Sequence, residues 1–556
     1  MAYYNQRLRK YLFKPKIIFL RFKAVILIYR ITAFLDIFKN LKLTEVSDMK
    51  DMEEKVLSII EEHEKNGDVY QTCAGIIARV QGQFPEITSD EISLILANLS
   101  QSGNLVHIGN EYAITDTRYD EDRLARMIAK VIRCNTPSRL IDAEHAVSTV
   151  ESQLGFFLSQ SQQDAIVGAL SSRMAIITGG PGTGKTTVLR ALCDAFEASQ
   201  GKDTSIYLMA PTGKAARRLF EQTGRPASTV HSILYAQRHN EESIQADLIV
   251  VDEASMLSIP LLAELLGNTK SDTQVVLVGD PDQLPAVGPG QVLKDLIASG
   301  LPVYVLTDNF RQGPESILAD NVYQIRNRYT SLTYDQDHFA LIESESSHDT
   351  EQLALSLYLS LRAQYGNQVQ ILTPVGSAGG VCSAARLNKL VQSHLNPHTP
   401  QKLEVMVDGT VYRIGDRVIQ CQNNGVARNG DIGTIVGIVG DSSITVQIRF
   451  DFGDDETVCY PISELEHGFL NLAYALTIHK AQGSEYDYVI IPLCKEHIFS
   501  WSNNMVYTAI SRAKKRVILV GSRCVLDRGI RQPLPPCRSK LADKIHQYLT
   551  AKEKAV

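Results

Sequence analysis

The sequence predicts an α/β chain in which two doubly wound domains are preceded by a small helical unit and interrupted by a small β unit. Three observations carry this. Apolar runs of strand length alternate with helical patterns over 156 to 330 and again over roughly 350 to 520, the pattern of parallel sheets covered by helices. One run, Met174 to Ile177, leads into Gly179-Gly180-Pro181-Gly182-Thr183-Gly184-Lys185-Thr186 and then the helical pattern Val188 to Leu192. At about 402 to 468 the text changes to short β runs separated by glycine turns.

The chain has 556 residues, room for about three to four domains at roughly 150 residues each. A net charge of −6 gives no global cationic field, so any nucleic-acid groove must concentrate positive charge locally. The nine cysteines are scattered and never spaced Cys-x-x-Cys, which fits reduced thiols in a cytoplasmic protein without a zinc or iron–sulfur site. Residues 1–48 differ, with ten Lys/Arg against three acids among many Ile, Leu and Phe. Arg21, Lys23, Arg30 and Asp36 interrupt the apolar stretch, which argues against a membrane span of ~20 residues. The preferred reading is a segment outside the folded domains, or an upstream start before Met49 or Met52; a basic amphipathic or targeting helix is the alternative.

From Met52 a helical period places Val56, Ile59 and Ile60 on one face, then Ile76, Ile77 and Val80 on a second. A third helix opens with the capping box Thr88-Ser89-Asp90-Glu91 and buries Ile92, Ile95, Leu96 and Leu99. Leu105 to Ile108, the turn Gly109-Asn110, and Glu111 to Ile114 read as a hairpin. Three helices and a hairpin resemble a winged helix, and the lack of a basic third helix favours a structural or docking role over DNA contact. The expected organisation is 1–48 basic segment, 49–118 winged-helix-like domain, 119–155 helical connector, 156–330 first α/β domain, 331–401 with 469–556 second α/β domain, and 402–468 an inserted SH3-like barrel.

The glycine turn has a mechanical reading. Successive backbone N–H groups turn inward on phosphates, a helix N-terminus adds positive potential, Lys185 reaches the β and γ phosphates, and Thr186 ligates Mg²⁺. Gly182, Thr183, Gly184 and Thr187 complete the cradle. About 67 residues downstream, Leu248 to Val251 runs into Asp252-Glu253, two carboxylates that would hold Mg²⁺ and orient the attacking water. A third strand, Val275 to Val278, ends in Gly279-Asp280-Pro281-Asp282-Gln283-Leu284-Pro285, placing Gln283 where it can report on the γ-phosphate. Arg311 and Arg512 each offer a guanidinium for transition-state charge. These features imply an ATP hydrolase.

The ordered series Gln162, Gly179 to Thr187, Ala210 to Ala216, Asp252 to Met256, Gly279 to Pro285, Phe310-Arg311-Gln312, Tyr474 to Glu485 and Tyr507 to Arg516 resembles superfamily 1 helicases, and within them the RecD-like DNA helicases of the 5′ to 3′ branch. The resemblance covers about 155 to 525 and implies two RecA-like P-loop domains with ATP and Mg²⁺ between them. It implies that Gln162 reads the adenine and Glu485 sits near the ribose. It also implies that Thr212, Lys214, Thr229, His231, Thr373, Pro374, Thr477, His479 and Lys480 line a track for single-stranded DNA, or DNA with a single-stranded tail. Hydroxyls, amides and single cations grip phosphates without reading bases. Arg428 and Asn429, in a turn of the inserted barrel, are further candidates for a backbone phosphate.

The sequence departs from the family in one respect. The stretch that holds a strand-separating hairpin in RecD-like enzymes is about a dozen residues here, Tyr235 to Asp247, which predicts weak unwinding. No helix-hairpin-helix array or nuclease segment is recognised, so the chain reads as a compact member acting in DNA repair or recombination, with repair proteins as further partners. An RNA helicase, or an ATPase subunit acting as a switch within a larger repair complex, are the alternatives.

Overall fold

A computed structural model describes residues 46–135, 142–200, 204–240, 243–310, 316–376, 380–424, 426–440, 444–451 and 457–551. Residues 1–45, and with them most of the basic segment, lie outside this description. The chain divides into two compact units, the first extending to Glu64 and resuming over Tyr70–Asp116, the second comprising Lys65–Val69 and everything from Thr117. Among the described residues no helix is long and apolar enough to cross a membrane.

The first unit holds α1 (Val46–Glu64), β1 (Gln71–Thr72), α2 (Cys73–Gln83), α3 (Ser89–Gln101), β2 (Leu105–Ile108) and β3 (Glu111–Ile114). The expected capping box forms at α3, with Glu91 N–H donating to Thr88 Oγ1 at 3.3 Å and Thr88 N–H to Glu91 Oε2 at 2.9 Å. Ile60, Ile76, Val80, Ile92, Leu96 and Leu99 form its core, on the faces their spacing predicts. The hairpin gains a third antiparallel strand, β1, against β3. That strand is two residues long, too short for any period to show.

The second unit begins with α4 (Thr115–Arg133), α5 (Ala143–Leu154) and α6 (Gln160–Leu170). There follow β4 (Met174–Gly179), α7 (Lys185–Gln200), β5 (Ile206–Ala210), α8 (Gly213–Thr223), β6 (Ala227–Thr229), α9 (Val230–Asn240), β7 (Leu248–Val251), α10 (Ile259–Gly267), β8 (Gln274–Gly279), α11 (Val292–Ile297) and β9 (Val303–Leu306). Their sheet is parallel throughout, in the order β6-β5-β7-β8-β4-β9. β4, β7 and β8 are buried at every residue, which is why they read as unbroken apolar runs and not as alternations. Their carboxyl ends open on one edge, where ligands of such sheets bind. Between β6 and β7 the described residues form α9 and an isolated bridge, Ile244 to Thr269, and no hairpin.

A second parallel sheet follows α12 (Ile317–Arg326), in the order β10 (Phe339–Glu343), β21 (Ala513–Gly521), β20 (Tyr486–Leu493), β11 (Val369–Thr373) and β19 (Ala475–Thr477), with α13 (Ser347–Tyr365) between β10 and β11 in the chain and α14 (Ala384–Leu395) after β11. Leu318 and Ile325 of α12 pack into this sheet's core with Phe339 and Trp501, so the second core begins ahead of the expected limit at 330. Then come β12 (Glu404–Val407), β13 (Thr410–Arg413), β14 (Arg417–Gln420), β15 (Ile432–Val439), β16 (Thr445–Phe450), β17 (Thr457–Pro461), α15 (Ile462–Glu466) and β18 (Leu470–Leu472). β12 and β13 form a ribbon and the rest an antiparallel sheet, β17-β16-β15-β14-β18. β18 carries this insertion past the expected boundary at 468. The parallel sheet is then completed by β19 (Ala475–Thr477), β20 (Tyr486–Leu493), α16 (Asn503–Ser511) and β21 (Ala513–Gly521), with α17 (Arg523–Arg531) and α18 (Leu541–Ala551) after it.

The insertion is fused to its host. Val418, Ile435, Val446, Ile448 and Tyr460 share one apolar cluster with Ile371, Leu387 and Val391. Asp416, fully buried, accepts from the side chains of Gln392 and Asn396, the backbone N–H of Arg413 and the hydroxyl of Tyr474. A buried carboxylate with four donors cements α14, the insertion and the approach to β19.

Candidate functional site

Lys185 opens α7, and its ammonium donates to the carbonyls of Gly179 and Gly180, both at 2.8 Å. It therefore lies across the glycine turn, where it would meet a bound phosphate. Gly184 has φ +76°, and a Cβ there would also overlap Gln162 Nε2, so only glycine closes the turn. Thr183 spends its hydroxyl on Gly180 O at 2.9 Å, while Thr186 and Thr187 follow in the first turn of α7. Gln162 is buried; its Oε1 accepts from Ser159 N–H at 3.1 Å and its Nε2 donates to Thr183 O at 3.4 Å. Its amide thus braces the back of the phosphate turn. Phe310 N–H donates to Gly182 O at 2.8 Å; Arg311 lies outside the described residues.

Asp252 follows β7, and one of its carboxylate oxygens accepts from Glu253 N–H at 2.9 Å. Glu253 adopts φ +52°, a left-handed conformation that side chains seldom take and that recurs at functional sites. Burial, then the neighbouring Glu253 charge, push the Asp252 carboxyl up to about 6, while Lys185 and Arg218 pull it back. A carboxylate so placed gains from a divalent cation. One strand-end carboxylate and one hydroxyl, Asp252 and Thr186, suit Mg²⁺, which keeps several waters and takes its remaining ligands from phosphates.

The second sheet reaches this edge through α16 and the residue after it. Arg512 is buried, and its Nη2 donates to Gln283 Oε1 at 2.9 Å. The side chain expected to report on the γ-phosphate and one of the arginines expected to meet transition-state charge therefore touch each other directly. Arg512 is further held by Thr508 O at 3.1 Å and Ser484 O at 3.3 Å. Glu485 is placed in ion pairs with Arg218 at 2.9 Å and Lys514 at 3.8 Å.

The threonines assigned to a track share a local role. Thr212 caps α8 by accepting from Ala215 N–H at 3.3 Å, Thr229 accepts from Ser232 N–H at 3.1 Å at the start of α9, and Thr477 accepts from Lys480 N–H at 3.3 Å. Each aims a helix or turn N-terminus, a ready site for a phosphate. Thr373 is fully buried and donates to Cys382 O at 2.8 Å, so its hydroxyl supports the sheet end from within, while Pro374 is half-buried beside it. His231 and Lys480 are exposed, and Lys214 and His479 are half-buried; burial lowers the His479 imidazole below its ordinary range. Arg428 lays its aliphatic stem against Gly213, where a Cβ would overlap it, and Asn429 is exposed beside it.

Three family models match, an AAA domain over 157–343, the SH3 domain of ATP-dependent RecD-like DNA helicases over 387–450, and a UvrD-like helicase C-terminal domain over 472–520. The RecBCD enzyme subunit RecD of Mycolicibacterium smegmatis is 31% identical over 440 residues, spanning 68% of this chain and 75% of the relative. The chain belongs to the RecD-like helicases. The ATP-dependent RecD2 DNA helicase of Deinococcus radiodurans is 36% identical over 378 residues, which are 66% of this chain and 49% of the relative. The chain thus spans about half the length of that relative. A fainter likeness is to the solved structure of a Bacteroides Pif1 helicase with ADP-AlF3 and ssDNA, 20% identical, covering 66% of this chain and 92% of that one with a TM-score of 0.41.

Several residues of this RecD-like site escape sequence reasoning. Arg218, which pairs with Glu485 and bears on Asp252, sits in a helical pattern where an arginine reads as solvated. Asp431 receives Arg217 of α8 at 3.2 Å and so ties the insertion to the first sheet. Only the small residue at 213 could have hinted at that contact.

Proposed function

We propose that the chain is an ATP-driven motor that moves 5′ to 3′ along single-stranded DNA and opens duplexes carrying a single-stranded tail. The observation that carries this reading is the contact of Gln283 with Arg512. It links the edge bearing the phosphate turn and the carboxylates to a second sheet whose neighbouring segment, Thr477 to Lys480, faces the track. The two parallel-sheet domains are read as RecA-like, the first unit as winged-helix-like, and the insertion as a barrel beside the track.

In this mechanism Lys185 and the turn amides would hold the β and γ phosphates, and Asp252 with Thr186 would hold Mg²⁺, which when bound would neutralise charge on the transferring phosphoryl group. Glu253 orients and deprotonates the attacking water, and Arg512 stabilises the charge that develops. Loss of the γ-phosphate frees Gln283, so the contact with Arg512 is remade on each cycle and the two sheets shift relative to one another. The capped N-termini at Thr212, Thr229 and Thr477, with Lys214 and Lys480, alternate their grip on successive phosphates.

A strand-displacement assay on duplexes with a 5′ or a 3′ tail, run beside an RNA tail, tests the proposal. Opening of the 5′-tailed DNA alone is expected, and equal or 3′-only opening overturns the polarity. A second reading, an ATPase subunit within a larger assembly, has one observation in its favour, the description of the Mycolicibacterium relative as a RecBCD subunit. ATPase activity that appears only with a partner would favour it.

A further inference from the structure

The start of the loop after β8 is held by α16 and by the turn after β19, at Asp280, Asp282, Gln283 and Leu284. Asn504 Nδ2 donates to the carbonyls of Asp282 at 2.8 Å and Gln283 at 3.2 Å. Leu284 N–H donates to Thr508 Oγ1 at 2.9 Å, and Gln482 Nε2 donates to Leu284 O at 2.8 Å. Tyr507 Oη donates to Asp280 Oδ2 at 2.8 Å, with both residues about 1% exposed. The same oxygen lies 3.4 Å from where a Cβ on Gly180 would stand, against the phosphate turn. Asp280 in turn accepts from Gln283 Nε2 at 3.4 Å.

The arrangement follows from helical spacing. Asn504, Tyr507 and Thr508 stand at i, i+3 and i+4 on one face of α16, and Arg512 continues it one turn on. Gln482 closes the turn that begins at Thr477, through Ala481 N–H to Thr477 O at 3.1 Å and Gln482 N–H to His479 O at 3.2 Å. One end of that turn carries the track residues and the other holds Leu284. These donors and acceptors are buried, so each is satisfied in this arrangement and costly to strand in any other. Such a cluster rearranges as a unit.

We infer that the Tyr507–Asp280 hydrogen bond is a positioning device that sets the Gln283–Arg512 contact and, with Gln482, ties the occupancy of the track to turnover at the phosphate turn. The inference rests on the motor reading above. Tyr507 and Asp280 are positioning residues, since Gln283 and Arg512 meet the reacting phosphate in their place. An amide at 280 still accepts from the tyrosine hydroxyl, whereas an alanine does not.

The test uses the full chain, with Mg-ATP and an oligothymidylate as probes. Tyr507→Phe and Asp280→Ala should each lower the DNA-stimulated kcat about tenfold while KM for ATP and the affinity for the oligonucleotide stay within about twofold. Asp280→Asn keeps an acceptor for the tyrosine but sets its NH2 against Asp282 N–H, which donates to Oδ1 at 3.1 Å, so it should restore part of the rate. Combining Tyr507→Phe with Asp280→Ala should cost no more than either alone. Wild-type rates in both single variants, or a double variant whose loss is the product of the two, would overturn the pairing, as would loss of rate accompanied by an equal rise in KM. If the wild-type ATPase proves indifferent to DNA, the motor reading fails, and the same product test on basal kcat still decides the pair. Thermal melting of each variant guards against misfolding, and Asp280→Asn keeps the test open if Asp280→Ala does not fold.

Discussion

The two parallel sheets end in different chemistry. At the carboxyl edge of the first, β4 runs into the glycine turn and β7 into a pair of carboxylates, the groups proposed to act on ATP. At the corresponding edge of the second, β11 ends in a threonine whose hydroxyl is spent on Cys382 O and β19 in one that caps its own turn. α16, in turn, points its polar face at the first sheet. On the proposed reading the first sheet holds the phosphates and the attacking water, while the second lends one arginine and holds the loop after β8. A shared architecture need not mean a shared task.

The sharpest way to break that division is at the cradle. Lys185→Ala removes a phosphate contact and no core packing, and ATP turnover should fall by at least ~100-fold in a protein with unchanged melting; retained turnover would remove the first sheet's claim to the chemistry. Glu253→Gln should match that loss in hydrolysis while nucleotide binding persists, because an amide cannot accept the water's proton. Equilibrium binding of a labelled ATP analogue separates the two variants. A Glu253→Gln protein that neither binds nor folds would show that the strained backbone at 253 is structural.

On the other side, Asp416→Ala strands four buried donors and should cost about 3 kcal/mol of stability. The loss should read in denaturant melts as earlier unfolding of the second sheet together with its insertion. Separate transitions for the two would contradict their common core. Gly213→Ala is milder. The Arg428 stem must move off α8, so strand displacement should drop a few-fold with ATPase nearly intact, and parallel loss of both would place that contact in the catalytic machinery. The smallest effect is expected within the track. Lys480→Ala should flatten the dependence of log affinity on log salt by about 0.7 for single-stranded DNA. His479→Gln should leave the slope unchanged at pH 7.5, because burial keeps the imidazole neutral there; only acidification below its lowered pKa would add charge.

The sequence made legible what local chemistry determines. The phosphate turn, the Asp252-Glu253 strand end and the Thr88 cap each stand where spacing places them, because a helix start or a buried strand is dictated by its own few residues. Less legible was anything that depends on a distant partner. Gln162 turns out to brace the phosphate turn, since its amide finds Thr183 O, 21 residues away. The hydroxyls of Thr212, Thr229 and Thr477 cap backbone N–H groups, which leaves the N-termini they organise as the groups proposed to meet phosphates. No spacing rule could foresee that Arg428 would settle on Gly213. The insertion likewise overran its expected end because β18 is three residues long and becomes a strand only by pairing with β14.

The fused insertion also has a consequence for how the chain acquires its shape. β11 and β19 are parallel neighbours, with Ile371 beside Ala475, yet roughly a hundred residues separate them, and closing an open loop of that length carries a substantial entropic cost. The insertion shortens the search. Once β14 and β18 pair, Ala473 N–H bonds to Arg417 O at 2.8 Å and Asn388 of α14 holds both Leu472 O and Ala475 O, which delivers β19 to its slot. The antiparallel module is thus an internal template for the second sheet. If the insertion pairs before its host closes, a lesion such as Asp416→Ala should slow refolding of the second sheet in stopped-flow measurements while the first, complete by Leu306, folds at an unchanged rate.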